Sequence, residues 1–160
     1  DENVQIFSRS QESAQESQDV PLILEWHKMS YKYYIMISAC CPFITATTIN
    51  KFINQFILSK SKGMMSVIKK RNILWDDKEN YLNQQHGKDF QTQTLSPYYE
   101  AAHCLYAGSM KRLKEDGIHM GTFTSLSDPD IFIMSEEEAF DIDELWQFNL
   151  ASAFFSKQIK

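Results

Sequence analysis

At 160 residues the chain is long enough to bury a core and is most simply one domain. Its formal net charge of -5 argues against a general nucleic-acid binder, and no apolar run reaches the length of a membrane span. The 3 cysteines, two of them adjacent, make neither a disulfide framework nor a C-x-x-C metal pattern, so a reducing, cytoplasmic setting fits best.

The chain opens on Asp1 with neither an initiator Met nor a signal-peptide pattern. It starts in what reads as the middle of an element, so a truncated chain is expected. Val4 to Ser8 alternates like a short strand, and Arg9 follows in a loop rich in Ser, Gln and Glu. Asp19-Val20-Pro21 predicts a helix start, with Asp19 as cap and Pro21 in the first turn. Tyr33 to Ala39 is a nearly continuous apolar run, the pattern of a strand buried on both faces of a parallel sheet. After the turn at Cys40-Cys41-Pro42-Phe43, Thr45 to Thr48 caps a helix whose stripe is Ile49, Phe52, Ile53, Phe56 and Ile57. A strand, a Pro-containing turn and a helix form one arm of an α/β unit, and ligands bind such sheets at the C-terminal ends of the strands, here Ser38 to Cys41.

Met64 to Lys69 predicts the next strand, ending in the basic cluster Lys69-Lys70-Arg71. Residues of about 72–100 read as an excursion: Ile73 to Trp75, a polar turn, then Tyr81 and Leu82 suit a hairpin. Ala101 to Ala107 is a buried strand pattern, in which His103 reads as a satisfied core histidine. A short cationic helix over Ser109 to Glu115 stops at Gly117. Leu126 to Ile133 carries a turn at Asp128-Pro129-Asp130, and a helix is expected from Glu144 to about Phe155.

Between them lies Glu136-Glu137-Glu138-Ala139-Phe140-Asp141-Ile142-Asp143. If Ile142 points into a core, Asp141 and Asp143 point the other way together. Two carboxylates on one side of a backbone suit Mg²⁺, which takes one or two carboxylates plus substrate phosphates. The same residues also read as an acidic loop with Asp143 capping the next helix.

Three segments, in this order and spacing, resemble the cytidylyltransferases that activate acylneuraminic and related nonulosonic acids as CMP-sugars. They are Ser38-Ala39-Cys40-Cys41-Pro42-Phe43-Ile44, then Thr92-Gln93-Thr94-Leu95-Ser96-Pro97-Tyr98-Tyr99-Glu100, then Glu138-Ala139-Phe140-Asp141-Ile142-Asp143. Phe7-Ser8-Arg9-Ser10 is similar to the loop carrying that family's Arg. The resemblance implies a three-layer α/β, Rossmann-like nucleotide-diphospho-sugar transferase fold with a mostly parallel sheet, N-terminally truncated. No segment here matches the family's Gly- and Lys-rich triphosphate loop, and Cys40-Cys41 replaces its usual small or hydroxylated pair.

The activity implied is transfer of CMP from CTP to a nonulosonic, sialic-type acid with release of pyrophosphate. Asp141 and Asp143 are then the catalytic and Mg²⁺-binding residues. Arg9, Ser38 and Cys40 fall to the nucleotide, Gln93 and Tyr99 to the sugar. A homodimer paired through the excursion at about 72–100 is implied, within a single partial domain over 1–160, with no nucleic-acid or membrane partner. The alternative is a truncated or degenerate relative that binds a sugar, a nucleotide or a partner subunit without turnover.

Overall fold

The computed structural model describes residues 4–16, 18–83, 91–125 and 127–158. Residues 4–10 form no strand; Val4 and Ile6 are exposed, with no ladder to join. Two short helices follow, α1 (Gln11–Gln15) and α2 (Val20–Ile23). Asp19 caps α2 as expected, its Oδ1 accepting the Leu22 N–H at 3.1 Å.

Four strands make one sheet: β1 (Tyr33–Ile37), β2 (Gly63–Lys70), β3 (Tyr98–Ser109) and β4 (Asp130–Met134), in the order β1-β3-β2-β4. β1 and β2 run in one direction, as the crossover pattern predicts, and β4, which the sequence did not announce, runs with them. The strand between β1 and β2 is reversed, so β3 forms antiparallel ladders with both and only β2 with β4 is parallel. β1 is an edge strand with only Tyr34 fully buried, because its free side has no partner among the described residues. The parallel strand β4 shows the half-buried alternation: Phe132 and Met134 point inward, Ile131 and Ile133 outward.

Helix α3 (Ala46–Ser59) lays Phe52 and Phe56 on one face of the sheet, against Met64, Cys104, Leu105, Ala107 and Phe132. On the other face α2, a 3₁₀ turn over Glu25–Lys28 and α4 (Met110–Asp116) enclose Tyr34, Met110 and Leu113. The result is three layers, helix on sheet on helix. The last helix, α5 (Leu145–Gln158), buries Ala151 and packs its end rings Phe154 and Phe155 on Phe43.

One irregularity shapes the site. Met65 pairs with Tyr106 but Val67 pairs with Ala101, so β2 advances two residues while β3 advances five. The surplus on β3 is a bulge at Ala102 to Leu105, and buried Ser66 fills the gap in the ladder by accepting the Leu105 N–H at 2.9 Å. His103 occupies the bulge with φ of 53°. It is exposed rather than a core histidine, because the bulge turns it out of the strand alternation, and its Nδ1 lies 2.9 Å from the Tyr106 hydroxyl.

Candidate functional site

The C-terminal end of β1 runs directly into the bulge of β3. The Ser38 N–H donates to the Cys104 carbonyl at 2.8 Å, closing the last ladder bond. The Ser38 hydroxyl then accepts the Cys40 N–H at 3.2 Å, which tightens the turn toward Pro42. Thr45 starts α3 as a side-chain cap, accepting the Thr48 N–H at 3.2 Å.

The acidic segment is fastened to this turn at one point. The Ile142 N–H donates to the Cys40 carbonyl at 3.0 Å. Asp141 and Asp143 flank that bond; Asp141 is half-buried, with Oδ1 3.9 Å from the Cys41 sulfur, and Asp143 is exposed. Asp143 does not cap α5 with its side chain. The Gln147 amide oxygen does so instead, accepting the N–H groups of Asp143 and Glu144 at 2.8 and 2.6 Å. The Asp143 carboxylate therefore stays free of hydrogen bonds among the described residues.

A second fastening comes from Glu138, whose carboxylate accepts from Thr45 and Thr48 at the start of α3. Burial pushes its carboxyl up, but the hydrogen bonds from Thr45 and Thr48 outweigh it and the net direction is down. Beneath Asp141 lie two buried thiols, Cys41 and Cys104, with sulfurs 2.6 Å apart. Burial pushes the Cys41 thiol up and the Cys104 thiol far above the ordinary range. Tyr106 is pushed up to about 12, chiefly by burial, with the nearby Asp141 carboxylate acting in the same direction.

Of the residues expected to act together, Ser38 and Cys40 share one hydrogen-bonded turn, and the Cys40–Ile142 bond holds the chain positions of Asp141 and Asp143 beside it. Tyr99 stands opposite Lys69 in the β2–β3 ladder and is 45% exposed, at the same end of the sheet because β3 is reversed. Gln93 is exposed in a 3₁₀ turn over Thr92–Thr94 that precedes β3. At Lys69, the ladder partner of Tyr99, begins a cleft of about 460 Å³ lined by Lys69, Lys70, Arg71, Asn72 and Glu136, with Lys70 Nζ 3.3 Å from Glu136. Arg9 does not join this cluster. Its Nε donates to the Ser13 hydroxyl at 2.9 Å and its terminal nitrogen to the Ser13 carbonyl, so it is folded onto α1. The excursion has a small hairpin core: Trp75 bridges Tyr81 with ring centroids 5.4 Å apart. Residues 84–90 of it lie outside the described residues.

Sequence reasoning assigned no role to Glu138, although it lies inside the acidic segment. A carboxylate preceding Asp-Ile-Asp and a Thr-x-x-Thr helix start were both visible; that they meet was not. The Cys41–Cys104 contact carried no sequence signal.

The donor set suits a hard cation only in one way. Asp141 and Asp143 offer oxygen ligands, and among the described residues no three metal-capable side chains gather. Two carboxylates would leave most positions around a Mg²⁺ ion to waters or ligand oxygens, and they do not make a protein-caged site.

No family model matches the chain, and no curated protein matches it. Solved structures do. The crystal structure of 4-diphosphocytidyl-2C-methyl-D-erythritol synthase from Anaerococcus prevotii DSM 20548 superposes with a TM-score of 0.55 at 14% sequence identity. The match covers 88% of this chain and 68% of that one. Identity this low speaks for the fold alone: an α/β, Rossmann-like architecture like that of the matched structure. Among the described residues no helix is long and apolar enough to cross a membrane.

Proposed function

We propose that this nucleotidyltransferase-type fold is a cytidylyltransferase that joins CMP from CTP to an acidic sugar of the nonulosonic class. The sugar hydroxyl attacks the α-phosphorus and pyrophosphate leaves. The observation that carries the reading is the Ile142–Cys40 hydrogen bond. It sets two carboxylates at the C-terminal end of β1, where open α/β sheets bind their ligands. Asp141 and Asp143 would hold Mg²⁺, which supplies charge neutralisation on the phosphate oxygens. Ser38 and Cys40 line the nucleotide side of the turn. Gln93 and Tyr99 would serve the sugar side; Tyr99 pairs with Lys69 of the cationic cleft, whose charge suits an acid. Arg9 would have to leave Ser13 to reach the nucleotide. The exposed Trp75, Tyr81 and Leu82 support pairing of two copies through the excursion, which light scattering of the purified chain would test.

The test is pyrophosphate release from CTP and Mg²⁺ with a panel of nonulosonic acids, comparing wild type with Asp141→Asn. Release that depends on the sugar acid and falls at least a hundredfold in the variant supports the reading. A second reading, binding without turnover, is favoured by the small donor set of two carboxylates and by the turned-away Arg9. CTP binding with no pyrophosphate release from any acid would replace the first reading by the second.

A further inference from the structure

The buried thiols of Cys41 and Cys104 take no part in the proposed transfer, and their geometry has its own chemistry. Their sulfurs are 2.6 Å apart, and a disulfide needs about 2.05 Å, so an approach of about 0.6 Å by two side chains makes the bond. The Ser38 N–H to Cys104 carbonyl bond anchors the turn that carries Cys41 to the strand that carries Cys104. Cys41 is 2% exposed and Cys104 fully buried, both within the main core cluster. Small buried thiols ordinarily pack as apolar residues without touching another sulfur; these two touch.

We infer that Cys41 and Cys104 are a modification site: a reversible disulfide formed by a peroxide beneath Asp141. The Cys41 sulfur attacks one oxygen of hydrogen peroxide, the O–O bond breaks, and the thiol proton leaves with the other oxygen as water. Cys41 is then a sulfenic acid. The Cys104 sulfur attacks that sulfur, the S–O bond breaks, and the hydroxyl leaves with the Cys104 proton as a second water. Two thiols and one peroxide thus give one disulfide and two waters, and a dithiol reverses the change. Bond formation also removes the only proton that Cys41 can direct at Asp141 Oδ1, 3.9 Å away. The oxidation state of the pair is thereby felt at the acidic segment. The inference does not depend on what the site transfers.

The test uses the full chain and its Cys40→Ser variant, which removes the exposed neighbouring thiol. Each is treated with hydrogen peroxide under native conditions, unfolded, alkylated and mapped by mass spectrometry without reduction. A Cys41–Cys104 cross-linked peptide in both proteins, lost on treatment with dithiothreitol, is the expected result. In the wild type it should exceed either pairing of Cys40 at least tenfold, whereas protein oxidised in urea should give mixed pairings. Recovery of alkylated Cys41 and Cys104 from oxidised native Cys40→Ser would overturn the inference. So would a native wild type in which Cys40 pairs with either partner as often as they pair with each other.

Discussion

Glu138 and Thr45, 93 residues apart in the chain, meet at the head of α3: one carboxylate oxygen accepts the Thr45 N–H at 3.1 Å and its hydroxyl at 2.7 Å. The other oxygen accepts the Thr48 hydroxyl at 2.8 Å. A helix start that could be capped locally is thus also held from the far side of the candidate site. Glu138→Ala leaves these donors unpaired, and a loss of about 1–3 kcal/mol is expected from urea unfolding. Glu138→Gln keeps one good acceptor and should lose less; equal losses would show that charge, not acceptor geometry, does the work.

Arg112 grips Asp128 with both terminal nitrogens, at 3.0 and 2.9 Å. The fork is planar and two-pronged, so Arg112→Lys should cost nearly as much as Arg112→Ala. Chemical denaturation of the two variants checks this; full retention of stability in the lysine variant would contradict it.

Asp128, Glu138 and His119 are among the described groups whose protonation weakens the fold in acid, and they act in one direction. The Arg112 hydrogen bonds hold Asp128 down to about 2, the Thr hydrogen bonds overcome burial to hold Glu138 low, and burial lowers His119. A group with a depressed folded pKa adds stability above its unfolded value and loses it as pH falls through the folded one. The His119 share therefore fades first, below pH ~6.5, and the carboxylate shares fade between pH ~4.5 and ~2. Melting temperature should decline in two stages on acidification, and His119→Phe should flatten the first.

A methyl group on Gly63 would overlap the carbonyl of Met120, which is backbone and cannot rotate away. Gly63→Ala should cost about 1–3 kcal/mol or more, although Gly63 opens a strand where alanine is otherwise tolerated. A variant as stable as wild type would mean that the segment before Pro129 yields easily.

His103 sits at φ of 53° within the bulge. Histidine tolerates this region better than most residues, and β-branched residues scarcely do. His103→Val should lose about 1–2 kcal/mol, while His103→Gly should change little, because relief at the backbone offsets the lost Tyr106 contact. Equal behaviour of the two variants in thermal unfolding would refute the backbone argument.

Much of the scaffold was legible where the signal was local. The Phe52 and Phe56 stripe, the Thr45 and Asp19 caps and the left-handed Gly117 stop all appear where the sequence places them. Position within the sheet was not. The apolar run at Tyr33 to Ile37 reads as an interior strand, yet β1 is an edge, because an edge is defined by a missing neighbour and not by composition. β4 hid behind its Asp128-Pro129-Asp130 turn. Its inward residues are only Phe132 and Met134, too few for a clear alternation. The bulge was invisible for a similar reason: three surplus residues on β3 exist only relative to β2. In the site, the acidic pair and its turn were legible as motifs, but the bonds joining them are tertiary. Arg9 shows the limit most plainly, since its partner, Ser13, lies in the short helix that Arg9 precedes.

The reversed course of β3 has a consequence for how this fold can vary. Lys70 and Tyr98 are ladder partners, so the chain leaves β2 and re-enters β3 at the same rim. Everything between them is an appendage on a fixed doorway. Doubling the length of such a closed loop costs only about 0.6 kcal/mol, whereas a one-residue slip in either ladder turns a whole strand inside out. Selection can therefore lengthen, shorten or rewrite the connection between β2 and β3 almost freely while the sheet keeps its register. Under the proposed function, substrate choice and subunit pairing would then be free to drift in that connection, independently of the two aspartates.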